Sequence, residues 1–223
     1  MKLIQLNETV TASNDRDAEA LRLRMKEAGT LLVNVMSSPG SGKTTLLSRL
    51  IWDLRELKIG VMEADIDSDV DARRMEALGA ASIQVHTSGM CHMDAGMTAA
   101  AWEAMGQTGL DLIFLENVGN LICPAEYDTG AAGNIMLLSV PEGDDKPLKY
   151  PLMFQKSEVL VITKTDALPY FDFDLAKCRE RVLKLNPGIR IFPVSAKTGE
   201  GMEPLEQWIL TQIQAIKRYI TTD

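Results

Sequence analysis

Leu31-Leu32-Val33-Asn34-Val35-Met36-Ser37-Ser38-Pro39-Gly40-Ser41-Gly42-Lys43-Thr44-Thr45 decides the fold. The run Leu31–Met36 is short and largely apolar, as expected of a strand buried on both faces. A Ser/Gly turn follows, and Lys43-Thr44-Thr45 opens a helix. Strand, glycine-rich turn and helix in that order form a phosphate loop. Its backbone N–H groups curl around the α- and β-phosphates, and the helix N-terminus adds its positive end. Gly40, Ser41 and Gly42 line the turn. Lys43 reaches the β- and γ-phosphates, the Thr44 hydroxyl binds magnesium, and Thr45 completes the nucleotide-binding set. The usual pattern begins with Gly where this chain has Ser37, but Gly40 and Gly42 still serve the crowded turn. A plain Gly/Ser connection would have no need of Lys and Thr at the helix start.

Outward from this stretch, apolar runs alternate with amphipathic segments. The further strand-like runs are Gly60–Met62, Ser82–Val85, Leu112–Leu115, Ile135–Val140, Val159–Thr163 and Ile189–Val194. Helices are expected at about 43–57, 68–78, 93–107, 173–185 and 202–219. The pattern predicts a three-layer α/β fold of the P-loop NTPase type, a mostly parallel sheet with helices on both faces. Right-handed crossovers put the loops after the strands along one edge, where ligands bind. Upstream, residues 1–29 read as a strand/helix extension packed on the domain 30–223. Its helix is expected to begin near Ser13-Asn14 as caps and to end at Gly29, with Ala18, Leu21, Met25 and Ala28 at helical spacing. The tail Thr221-Thr222-Asp223 is expected to fray.

The chain of 223 residues carries a net charge of −8, which argues against nucleic acid or anionic membrane as a partner. No apolar run reaches the length of a membrane span, and Met1-Lys2-Leu3-Ile4-Gln5 does not start a secretory signal. A cytoplasmic protein is expected, its three cysteines present as thiols.

Glu116 ends the run Leu112–Leu115, and Glu116-Asn117-Val118-Gly119 stands where nucleotide hydrolases hold magnesium and the γ-phosphate. In Glu63-Ala64-Asp65-Ile66-Asp67-Ser68-Asp69-Val70-Asp71, Asp65 is the first choice to hold magnesium through water or to orient the attacking water. Asp67, Ser68, Asp69 and Asp71 read as an acidic helix start. No glutamine stands at an obvious water-positioning place, so turnover should be slow. Thr163-Lys164-Thr165-Asp166 and Ser195-Ala196-Lys197 each follow a strand and resemble the guanine-reading pair of the GTPase superfamily. A carboxylate at Asp166 accepts from guanine N1–H and the 2-amino group. Adenine offers neither donor there, so ATP would leave it unpaired. Lys164 would lay its stem over the base, and the Ala196 N–H would meet the exocyclic oxygen. Thr163 replaces an Asn whose main task is to brace the loop.

Cys91-His92 follows the strand Ser82–Val85, and Cys123 follows Gly119 by four positions. In a parallel sheet both loops emerge at one edge, so two thiolates and an imidazole can converge. That donor set suits Zn²⁺ or Ni²⁺, with a fourth position for water or another chain. Cys178, inside a predicted helix, and His86, at a strand end, read as structural. Met90, Met93, Met97 and Met105 read as packing.

Ser-Ser-Pro-Gly-Ser-Gly-Lys-Thr-Thr, Cys-His-Met-Asp-Ala at 91–95, Glu-Asn-Val-Gly-Asn-Leu-Ile-Cys-Pro-Ala at 116–125 and Glu-Gly-Asp-Asp-Lys-Pro-Leu-Lys-Tyr-Pro at 142–151 together strongly resemble the HypB family, from about residue 30 onward. Those GTPases help insert nickel into [NiFe] hydrogenase. The resemblance implies a nucleotide-dependent homodimer using GTP/GDP and Mg²⁺, with Cys91, His92 and Cys123 binding nickel or zinc near the interface. It also implies delivery together with a hydrogenase maturation partner to the hydrogenase large subunit. Some members carry an N-terminal cysteine-rich motif or a histidine-rich stretch. Here the first ninety residues hold no cysteine and only His86, so storage of many nickel ions is not expected. Three other readings stand beside this one. A urease-type nickel GTPase would carry Cys-Pro-His, whereas here Ala125 follows Cys123-Pro124. A metal carrier with vestigial GTPase activity would show no turnover. A small-molecule kinase would leave Lys164, Asp166 and Ser195–Lys197 without a purpose.

Overall fold

The phosphate loop leaves the central strand of a seven-stranded sheet whose strands all run parallel. In this computed structural model residues 6–64, 70–106 and 108–221 are described. The strands are β1 (Leu31–Ser37), β2 (Ile59–Ala64), β3 (Ala81–Val85), β4 (Leu112–Glu116), β5 (Gly133–Ser139), β6 (Val159–Thr163) and β7 (Arg190–Pro193), in the order β3-β2-β4-β1-β5-β6-β7. The helices are α1 (Leu6–Glu27), α2 (Lys43–Asp53), α3 (Val70–Ala77), α4 (Ala95–Met105), α5 (Cys123–Glu126), α6 (Lys146–Lys149), α7 (Pro151–Gln155), α8 (Leu175–Leu185) and α9 (Met202–Thr221). Short 3-10 turns span Val140–Glu142 and Thr165–Tyr170.

Alternation along each strand sends its side chains to two apolar layers. Leu31, Val33 and Val35 face a core built with Leu46, Leu47 and Leu50 of α2 and Leu205 and Ile209 of α9. The opposite face holds two cores. Leu32 packs with Leu21 and Met25 of α1 and Ala101 of α4, while Met36 packs with Phe154 of α7 and Cys178 and Val182 of α8. Between Leu32 and Met36 stands Asn34, buried to 1 % exposure, so a polar seam divides the two cores. Cys178 is a fully buried core residue, and its thiol is pushed up to about 12 by burial first and then by Asp144.

Helix α1 begins earlier than Ser13-Asn14, and those residues lie inside it. Asn14 caps a different helix. Its amide oxygen accepts from Ala95 N–H at the start of α4 (3.0 Å), and its amide nitrogen donates to Asp128 O (2.9 Å). A local capping signal was here a long-range one. Ala18, Leu21 and Met25 are buried as the spacing predicts, Ala28 is exposed, and Gly29 ends the helix at φ +73°. Met93 is fully buried, and Met97 and Met105 pack against the α1–α4 core. Met90 does not pack: it is an exposed side chain. Asp65, Asp67, Ser68, Asp69, the opening strand-like piece and the last two tail residues lie outside the described residues.

Candidate nucleotide and metal site

Parallel pairing brings the ends of β1, β2 and β4 together. Glu116 stands beside Val35 and Glu63 in register, so two carboxylates meet in front of the phosphate loop. Glu63 is 3 % exposed and Glu116 7 %. With Pro39, Gly40, Lys43, Thr44 and Gly119 they line a cavity of about 330 Å³. Lys43 Nζ donates to Ser37 Oγ at 3.0 Å, so the serine at the start of the loop contacts the loop lysine. Gly42 sits at φ +99°, a conformation that glycine adopts without strain. Gly119 passes so close to the loop that an added Cβ would lie 3.1 Å from Pro39 Cγ and 3.2 Å from its nitrogen. Thr45 is exposed and lies outside the cavity lining. Glu63, one acid in the run 63–71, stands here beside Glu116, while Asp65 lies outside the described residues. The position of Glu63 at the end of a strand next to Glu116 is what singles it out.

The β6 and β7 loops close the cradle from the other side. Thr163 Oγ1 donates to Ser41 O (2.7 Å), and Lys164 Nζ donates to Gly40 O (2.7 Å). Lys164 holds φ +60°, a left-handed conformation unusual for a non-glycine residue. Asp166 is exposed, and buried Ser195 donates its hydroxyl to Asp166 Oδ1 (2.7 Å) while accepting from Thr198 N–H. Ala196 and Lys197 follow on the same turn, Lys197 exposed. A carboxylate held by a buried hydroxyl in this way keeps its other acceptor sites open to donors of a ligand. Thr163 thus braces the phosphate loop through its own hydroxyl.

Cys91, His92 and Cys123 form the one His/Cys/Asp/Glu group of metal-ligating geometry among the described residues, with donor atoms within 4.8 Å of one another. The two sulfurs lie 2.6 Å apart as free thiols, and His92 Nδ1 is 3.9 Å from Cys91 Sγ. Cys123 begins α5, a single turn rather than open loop, and Asn120 donates to its sulfur at 3.5 Å. His92 is buried, its Nε2 has no hydrogen-bond partner among the described residues, and its ring stacks on Tyr127 at 3.7 Å and 13°. Burial holds its pKa below the usual histidine value against the opposing pull of Asp94 and Glu126, which favours the neutral imidazole that a metal needs. The Cys123 thiol is pushed up, first by its hydrogen bond with Cys91 and then by burial. Two sulfurs and an imidazole match the donor preference of Zn²⁺ and Ni²⁺. Asp94 caps α4 through Met97 N–H (2.8 Å) and so fixes the segment that carries Cys91 and His92. His86 is exposed and stands outside this group.

Residues 31–193 match the family model for the CobW/HypB/UreG nucleotide-binding domain. The hydrogenase maturation factor HypB of Azotobacter chroococcum is 44 % identical over 214 residues, spanning 95 % of this chain and 70 % of the relative. The hydrogenase/urease maturation factor HypB of Helicobacter pylori strain J99 is 39 % identical over 213 residues, spanning 94 % of this chain and 88 % of the relative. A crystal structure of Helicobacter pylori HypB in complex with nickel superposes with a TM-score of 0.85 at 39 % identity, covering 91 % of this chain and 96 % of that one. Its phosphate cradle, its Cys-His-Cys group and these likenesses make the chain a member of the HypB family of hydrogenase maturation factors.

Proposed function

We propose that the protein is a GTP-hydrolysing metallochaperone that takes up nickel at Cys91, His92 and Cys123 and assists its insertion into [NiFe] hydrogenase. The observation that carries the reading is that one loop serves both sites. Gly119 lies against the phosphate loop, and Cys123, four residues on, lies against Cys91. Lys43, Thr44, Gly40, Ser41 and Gly42 would hold the phosphates, with Thr45 behind them. Asp166, Lys164, Ser195, Ala196 and Lys197 would hold guanine. Thr44 and Glu116, with Asp65, would hold Mg²⁺, and the oxygen donors of Thr44, Glu63 and Glu116 in the cavity lining suit that ion. Magnesium would offset charge on the β- and γ-phosphates. Lys43 would do the same from the loop while Gly119 N–H approaches the γ-phosphate.

A load-and-release cycle follows. Cys123 lies four residues after Gly119 and against Cys91, so a change in the Gly119 loop with nucleotide state would alter how Cys123 meets Cys91 and hence metal affinity. Coupling of about 1–3 kcal/mol would change metal occupancy roughly five- to 150-fold. The active species is read as a nucleotide-dependent homodimer. Exposed Met90 and Ile122, next in sequence to Cys91 and Cys123, offer apolar surface for self-association beside the metal site. A hydrogenase maturation partner and the hydrogenase large subunit complete the delivery, and residues 1–29 act as an extension packed on the GTPase domain 30–223. Zinc is the alternative occupant.

Two assays test the reading together. Mg²⁺-dependent GTP turnover should be slow in the wild type and lost in Lys43→Ala, with ATP a poor substrate. Nickel binding should drop to background in Cys123→Ala. Nickel binding without GTP turnover would leave only a metal carrier.

A further inference from the structure

Asn117 lies between the two sites and touches both of their loops. It is 1 % exposed, and its side-chain oxygen accepts two backbone N–H groups. One comes from Val118 (2.9 Å), next to Gly119, and the other from Met93 (3.1 Å), next to His92. Two donors on one atom identify it as the carboxamide oxygen. The amide nitrogen donates to Asn34 Oδ1 on β1 (3.0 Å), and Asn34 donates in turn to Asn134 Oδ1 on β5 (2.9 Å). Asn34 and Asn134 are register partners in the sheet. The backbone N–H of Asn117 is spent on Val35 O (3.0 Å), which extends the β4 pairing. The carboxamide is therefore anchored to the rigid centre of the sheet, and only the two N–H groups on its oxygen belong to segments that bear ligands.

We propose that Asn117 is the positioning residue through which nucleotide state reaches the metal site. An oxygen shared by two donors holds each less tightly than it would hold one alone, so drawing Val118 toward the γ-phosphate changes its hold on Met93. Met93 is fully buried in the core, so the adjustment passes to Cys91-His92 beside it. The sheet supplies the fixed point, the Gly119 loop the input and the Cys91–Met93 segment the output. This inference rests on the load-and-release reading and names the part that transmits it.

The test is a ratio: nickel affinity with Mg²⁺ and a non-hydrolysable GTP analogue, divided by nickel affinity with Mg²⁺ and GDP. The ratio for the wild type should differ from one by at least about fivefold. Asn117→Ala should bring it within about twofold of one while GDP binding persists. Asn117→Asp keeps an acceptor for both N–H groups but loses the amide that anchors it to Asn34 Oδ1, so it should retain more of the ratio than Asn117→Ala despite a lower melting temperature, whereas a merely structural role predicts a ratio that follows stability. Asn134→Ala, one link further along the polar seam, should lower the melting temperature but retain the ratio. If Asn117→Ala does not fold, Asn117→Ser, too short to reach Met93, takes its place with the same expected ratio. A wild-type ratio in Asn117→Ala or Asn117→Ser, or one lost equally in Asn134→Ala, overturns the assignment while leaving load-and-release intact. A wild-type ratio of one overturns load-and-release itself, and the assignment with it.

Discussion

Replacing Thr163 by Val removes a single hydroxyl and keeps the side chain's shape. That hydroxyl donates to Ser41 O at 2.7 Å, with Thr163 3 % and Ser41 1 % exposed. A neutral hydrogen bond contributes about 0.5–1.5 kcal/mol net, and a buried carbonyl stripped of its donor costs about 1–3 kcal/mol. The expected loss is therefore about 1–3 kcal/mol. For a domain of this size that lowers Tm by roughly 3–10 °C. The same brace shapes the phosphate loop before nucleotide arrives, so the Kd for GDP should rise about fivefold, with roughly 150-fold as the ceiling. Calorimetric unfolding and titration with GDP measure the two effects, and Thr163→Ser, which keeps the hydroxyl, should restore most of both. If Thr163→Val melts within about a degree of the wild type and binds GDP within twofold, the hydroxyl does not brace the loop and the reasoning is wrong.

Asp166→Asn should weaken GTP binding about 10- to 150-fold, the cost of one hydrogen bond to a charged acceptor, and leave ATP unchanged. Competition of the two nucleotides against a fluorescent GDP analogue measures this. Tyr127→Ala removes the ring stacked on His92 at 3.7 Å. A stacked pair is worth about 0.5–1.5 kcal/mol, so nickel affinity should fall about two- to tenfold with GDP binding intact. Cys178 gives a pH prediction. Its thiol ionises near 9.0 in the unfolded chain and at about 12 when folded. The folded state resists deprotonation, so stabilisation complete below pH 9 should drain away between pH 9 and 12. Linkage makes this about 1.4 kcal/mol per pH unit inside that window. Chemical unfolding at pH 8 and 10.5 should show the wild type losing about 2 kcal/mol more than Cys178→Ala. Equal losses would contradict it.

Strand positions and loop chemistry were legible because both are local. An unbroken apolar run marks a buried strand, and parallel strands place their following loops on one edge. The sequence alone therefore brings Cys91, His92 and Cys123 together. Contacts set by register rather than by neighbours in sequence were not legible. Asn34 looks like one polar lapse in an apolar strand until β5 puts Asn134 beside it and the end of β4 adds Asn117. Tyr127 gave no signal, since its stacking on His92 depends on how the chain turns after α5. Asn14 looks like a local cap because capping is usually local, yet its partner lies 81 residues away. Glu63 is one acid among several in its run, and only strand pairing sets it beside Glu116.

The most direct test of the account is an anaerobic Ni²⁺ titration of the full chain, performed once with Mg²⁺ and GDP and once with Mg²⁺ and a non-hydrolysable GTP analogue. The account predicts nickel affinities that differ at least about fivefold between the two states, with binding lost from both in Cys123→Ala. Equal affinities in the two states would contradict it, leaving a metal site and a nucleotide site that share a loop without communicating.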